Sequence, residues 1–93
     1  MNVYSVLAYP LRERILKILD DEHLITYNAL LSKLELEETG VLNYHLKKLS
    51  NFVEKSRGFY QLTTTGQDAI RLMVIKNQIM SGKSIDIKKV LKN

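Results

Sequence analysis

Asn43, Tyr44, Lys47 and Lys48 lie in the run GVLNYHLKKL, residues 40–49. Their types offer recognition rather than catalysis. An asparagine amide can bond an adenine edge or a phosphate. A tyrosine can stack on sugar, touch a thymine methyl or bond a phosphate, and lysines attract phosphates. On a helix at about 100° per residue, Leu42, Leu46 and Leu49 gather within roughly 60° of one another. Gly40, Tyr44 and Lys47 then point the opposite way, flanked by Asn43 and Lys48. Gly40, near the helix start, would let a nucleic-acid backbone approach closely. Taken alone, such a helix is ordinarily a solvated lysine face. The neighbouring segment changes the weighting. Val53 to Ser56 and Phe59 to Thr63 read as two strands joined by Arg57-Gly58, a workable tight-turn pair though weaker than Asn-Gly. Lys55 and Arg57 sit at or beside the tip. They suit phosphate contact, or insertion of Arg57 into a minor groove, and they also guard an edge strand; both roles can hold. A leucine-backed helix followed by a basic-tipped hairpin is a device for entering a DNA groove and gripping the flanking phosphates.

Other candidates precede this segment. Thr26, Tyr27 and Asn28 open a predicted helix whose N-terminal amides could bind phosphate, and Thr39 opens the next beside Gly40. Plain capping by Thr26 is compatible with that role. Catalysis finds no support: there is no Ser-His-Asp arrangement at a nucleophile elbow, no phosphate-binding glycine loop and no paired acids in an evident cleft. With no cysteine, and only His23 and His45 as histidines, a disulfide framework, a thiolate site and a cysteine redox switch are excluded, and a metal site lacks ligands. No enzyme and no cofactor is expected.

Several elements must position these residues. Residues 2–8 suit a short leading helix. Pro10 suits the first turn of the next, in which Leu11, Ile15, Ile18 and Leu19 form the predicted inward stripe. Asp20-Asp21-Glu22 should end it, because three acids oppose the dipole at a helix C-terminus. His23-Leu24-Ile25 is a candidate short strand. Thr26 then caps a helix from Tyr27 to about Leu34, with Ile25 and Leu30 at staple spacing and Leu30, Leu31 and Leu34 inward. Glu35 to Glu38 is a turn, the reading helix spans Thr39 to Asn51, and Phe52 returns the chain to the core. Thr64-x-x-Gln67 or Thr65-x-x-Asp68 offers a capping box for a last helix that breaks at Gly82. That helix carries two apolar stripes, one of Ala69, Ile70, Met73 and Met80, the other of Leu72, Ile75 and Ile79. A small domain buries one such stripe. The second awaits a partner subunit or the leading helix of the same chain.

Ninety-three residues allow one domain, here 1–82, with a basic tail at 83–93. At this size a shared dimer core would add stability. Lys and Arg number 14 against 10 Asp and Glu, a net charge of +4. The distribution says more than the sum. Residues 20–38 carry Asp20, Asp21, Glu22, Glu35, Glu37 and Glu38 against Lys33, whereas residues 41–57 carry Lys47, Lys48, Lys55 and Arg57 against Glu54. Positive charge gathers on the expected reading surface. Charged residues from Arg12 to Lys17 interrupt any early leader, and no window approaches a membrane span, so an intracellular, cytoplasmic protein is expected.

The stretches Leu42-Asn43-Tyr44-His45-Leu46-Lys47-Lys48-Leu49, Val53-Glu54-Lys55 and Tyr60-Gln61-Leu62-Thr63, with Gly66, resemble the recognition helix and wing of winged-helix transcriptional regulators. The likeness covers roughly two-thirds of the chain and is nearest to ArsR-like and MarR-like regulators, including forms found in archaea and their viruses. It implies an α+β, mainly helical, winged helix-turn-helix fold in the order helix, helix, short strand, helix, helix, strand, strand, helix. It also implies binding to double-stranded DNA, with helix 39–51 in the major groove and wing 53–63 on the flanking backbone or minor groove; the second stripe of the last helix, Leu72, Ile75 and Ile79, favours a homodimer with those residues in the subunit seam. A histidine recurs in the family at the position of His45. Here it is expected to pack and hydrogen-bond at the helix–wing junction, with phosphate contact second. No small-molecule effector is evident. A protein-interaction module of a transcription or replication assembly and a non-specific architectural DNA binder are the competing readings.

Overall fold

A computed structural model describes residues 9–80. The leading helix expected at 2–8, the break at Gly82 and the tail at 83–93 lie outside the described residues. The architecture is α+β and mostly helical. Four helices are described, α1 (Pro10–Glu22), α2 (Tyr27–Lys33), α3 (Thr39–Lys48) and α4 (Thr64–Met80), together with strands β1 (Ile25–Thr26), β2 (Val53–Ser56) and β3 (Phe59–Leu62). The strands form one antiparallel sheet in the order β1-β3-β2.

Pro10 opens α1, where its missing N–H leaves no intrahelical bond unmade. Ile15, Leu16 and Leu19 are fully buried, and Leu11 and Ile18 pack only at the core's margin. The buried line is therefore 12, 15, 16 and 19. It is rotated from the predicted stripe and takes in Arg12. α1 ends with the three acids as expected, Asp20, Asp21 and Glu22 being its last helical residues. The end comes at His23, with φ 66° and ψ −55°, where the Leu24 N–H closes a γ-turn on the Glu22 carbonyl at 2.8 Å. Lys33 meets Glu22 at 2.9 Å and offsets part of the unfavourable charge.

The short strand begins two residues later than expected, at Ile25. It pairs Ile25 with Tyr60 and Thr26 with Phe59. Thr26 caps α2 by accepting the Ala29 N–H at 3.2 Å, and Ile25 and Leu30 are both buried at staple spacing. The exit of α2 is a Schellman motif without glycine. Glu35 takes φ 56°, its N–H bonds the Ser32 carbonyl, and the Leu36 N–H bonds the Leu31 carbonyl. α3 ends at Lys48 rather than Asn51. Leu49 is the C-cap and is fully buried, and overlapping turns carry the chain through Phe52 into β2.

Arg57 (φ 53°) and Gly58 (φ 83°) close the β2–β3 hairpin, and positive φ at both central residues defines a type I′ turn. Neither expected capping box starts α4. Thr63 caps it, accepting the Gly66 N–H at 3.0 Å while its hydroxyl donates to the Asn51 carbonyl at 2.8 Å. Gly66 is required there by space, because a Cβ would collide with the Phe52 carbonyl oxygen and lie 3.1 Å from Leu62 Cδ2. Ala69 and Met73 of α4 are buried and Ile70 packs beside them, but Met80 is 76% exposed and does not belong to the buried stripe. One core results, shared by all four helices with Ile25, Phe52 and Val53. No helix among the described residues is long and apolar enough to cross a membrane.

Candidate nucleic-acid interface

The polar face of α3 exists because its leucines are consumed by the core. Leu42 and Leu49 are fully buried and Leu46 half-buried. That turns Gly40, Asn43, Tyr44 and Lys47 to solvent, with Lys48 half-buried at the flank. Nothing stands within 4 Å of where a Gly40 side chain would begin, so packing does not demand glycine there.

Asn43 is held from the side. The Tyr27 hydroxyl, at the start of α2, lies 2.7 Å from Asn43 Oδ1 and 3.3 Å from the Thr39 carbonyl, which makes it a donor to acceptors on α3. With Oδ1 engaged, Nδ2 is the part of the exposed Asn43 amide left to donate, with no acceptor among the described residues. The Tyr27 side chain, beside the N-terminal amides of α2, has its hydroxyl occupied in fixing a neighbour. Thr26 likewise spends its hydroxyl on the α2 cap, while Asn28 and Thr39 are exposed.

A chain of ring contacts joins this point to the hairpin. Tyr27 and Tyr60 have ring centroids 6.2 Å apart, and Lys55 Nζ lies 5.7 Å over the Tyr60 ring, its cross-strand partner. Lys55 therefore leans back across β3, and Arg57 alone occupies the turn. On the opposite strand face the Gln61 amide donates to Glu54 at 2.8 Å, which keeps that acid engaged.

The other flank of α3 holds a second cluster. Tyr44 packs edge-on against His45 with centroids 5.2 Å apart, and Lys48 Nζ lies 5.6 Å over the Tyr44 ring. His45 accepts at Nδ1 a hydrogen bond from Arg12 Nε at 3.0 Å. Its junction is with α1, not with the hairpin. Burial first, and the Arg12 cation second, hold its pKa below the ordinary 6.5, so the ring is neutral with the proton on Nε2. Arg12 and Tyr9 were missed as site residues. A charged residue in the first turn of an amphipathic helix reads as solvent-facing, whereas here Tyr9 and, from α3, His45 and Tyr44 gather around it. Among the described residues no group of three or more His, Asp or Glu converges to hold a metal ion.

Leu72, Ile75 and Ile79 do share one side of α4. With Lys76 and Met80 they line an apolar groove of about 230 Å³. Leu72 is 38% and Ile79 64% exposed, and Lys76 leans away to Glu13 at 3.4 Å. The chain belongs to the family whose model is described as a domain of unknown function, DUF7347, which matches residues 1–73. No curated protein and no solved structure matches it.

Proposed function

We propose that this chain is a homodimeric winged-helix protein that binds double-stranded DNA with sequence preference, as an intracellular transcriptional regulator. α3 enters the major groove, and the β2–β3 hairpin lies on the flanking backbone or in the minor groove. The observation that carries the reading is the Tyr27–Asn43 hydrogen bond at 2.7 Å. It aims an exposed amide from a helix whose opposite face is core, which a merely solvated lysine face has no need to do. With Nδ2 left to donate, Asn43 suits an acceptor such as purine N7, guanine O6 or thymine O4, or a phosphate oxygen. Tyr44 stands beside it for a thymine methyl or a sugar. Lys47, Lys48 and Arg57 add charge for phosphates, and a type I′ turn makes a tip narrow enough for a minor groove.

The α4 groove supports the dimer. A second copy covering Leu72, Ile75 and Ile79 would bury apolar surface otherwise left in water and would set two reading helices roughly 34–36 Å apart on a pseudo-palindromic site. The test is selection of bound duplexes from a random pool, followed by footprinting on the organism's own DNA. A recurring, two-fold symmetric sequence is the expected result. A pool that never departs from random, with binding retained, favours a non-specific architectural binder. No duplex binding favours a protein-interaction module.

A further inference from the structure

Arg12 is 4% exposed yet permanently charged. Buried guanidinium groups are normally paired with carboxylates, because an uncompensated charge away from water is costly. No carboxylate meets Arg12 among the described residues, and its neighbour Glu13 turns instead to Lys76. Two aromatic rings flank the group, with the Tyr9 ring centroid 4.0 Å and the Tyr44 centroid 6.0 Å from Cζ. One edge is occupied too, by the Nε donation to His45. The Nη edge has no protein acceptor among the described residues. No fully buried side-chain nitrogen or oxygen lacks a partner there, so an Nη nitrogen without a partner keeps some access to solvent. Lys48 leans over the same Tyr44 ring and brings a second cation to this rim.

We propose that Arg12 is a phosphate site, its Nη fork taking two oxygens of one phosphate group between the Tyr9 and Tyr44 rings. That the phosphate belongs to a DNA backbone rests on the proposed function; that the site takes a phosphate does not. Nε holds His45 of α3 while Nη holds the anion. One planar group thus ties the reading helix to a fixed point on the backbone.

The arginine side-chain N–H signals of ¹⁵N-labelled protein report on this directly. Inorganic phosphate is titrated in place of chloride at constant ionic strength. Arg12 should move saturably and further than the exposed Arg14 and Arg57. Movement no larger than theirs overturns the site. A random-sequence duplex then separates free from backbone phosphate. Arg12→Gln, matched to wild type by circular dichroism, should lower the slope of log affinity against log salt by about 0.9. An unchanged slope overturns the backbone assignment. Should Arg12→Gln fail to fold, the wild-type Arg12 signals on addition of duplex decide the same point, and unmoved signals overturn it. A wild-type protein that binds no duplex sinks the proposed function, while the phosphate titration still decides the site.

Discussion

Two residues on either side of α3 give the reading its sharpest consequences. Tyr27 fixes Asn43 through one hydrogen bond, so the two should act as a unit. Asn43→Ala should relax sequence preference at a cost of roughly 1–3 kcal/mol if its amide meets a base edge. Tyr27→Phe, which keeps the ring and removes only the hydroxyl, should relax preference at the same base position. Binding-site profiles of both variants check this, and a change at different positions would separate the two residues. His45 gives a pH signature. Its folded pKa is lowered, so the unfolded chain takes the proton first. Its contribution to stability is therefore intact above pH 6.5 and is lost as pH falls from there through the lower folded value. Denaturant melts from about pH 7.5 down to about pH 5 should show that loss, and a His45→Gln variant should show less of it. Identical pH profiles would mean that the Arg12–His45 hydrogen bond carries no such weight. At this scale the outward face of α3 was legible, because helical periodicity separates Leu42, Leu46 and Leu49 from Asn43 and Tyr44. The roles of Tyr27 and Arg12 were not, because each depends on a partner far along the chain.

Among the elements, local chemistry announced some boundaries and tertiary contacts set others. The Thr26 cap and the Arg57-Gly58 turn were readable because each satisfies a local rule of capping or of backbone sign. The end of α1 at its three acids was readable from their unfavourable charge, and the γ-turn at His23 with the pairing of Ile25 to β3 fixes it in the fold. α4 is capped by Thr63 rather than by the boxes at Thr64 or Thr65, because its start is pinned by the Asn51 and Phe52 carbonyls: the Thr63 hydroxyl and N–H bond them at 2.8 and 2.9 Å. The turn offers a test that divides stability from binding. Arg57 holds φ 53°, a strained setting for an arginine that asparagine tolerates better. Arg57→Asn should leave thermal stability equal or raise it by a few tenths of a kcal/mol, while duplex affinity falls because a positive charge is gone. A drop in stability would show that the arginine side chain braces the hairpin, and unchanged affinity would take the tip off the DNA.

For the whole molecule, the proposed homodimer requires the α4 groove of Leu72, Ile75 and Ile79 to be the seam that joins two copies of the domain. Ile75 is half-buried between the exposed Leu72 and Ile79, so Ile75→Glu should leave the monomer folded and place a charge in the proposed seam. Sedimentation should then change from dimer to monomer, with affinity falling far more on a full palindrome than on a half-site. A wild type that sediments as a monomer at micromolar concentration, or an Ile75→Glu protein that stays dimeric, would remove this stripe from the seam. The central claim, that the α3 face and the hairpin bind duplex DNA, is tested most directly by affinity for a duplex measured across salt concentration. Wild type should weaken steeply as salt rises. Lys47→Ala or Arg57→Ala should each reduce the slope by about 0.9, the release of counterions from a single phosphate. No duplex binding, or an affinity indifferent to salt, would contradict the account.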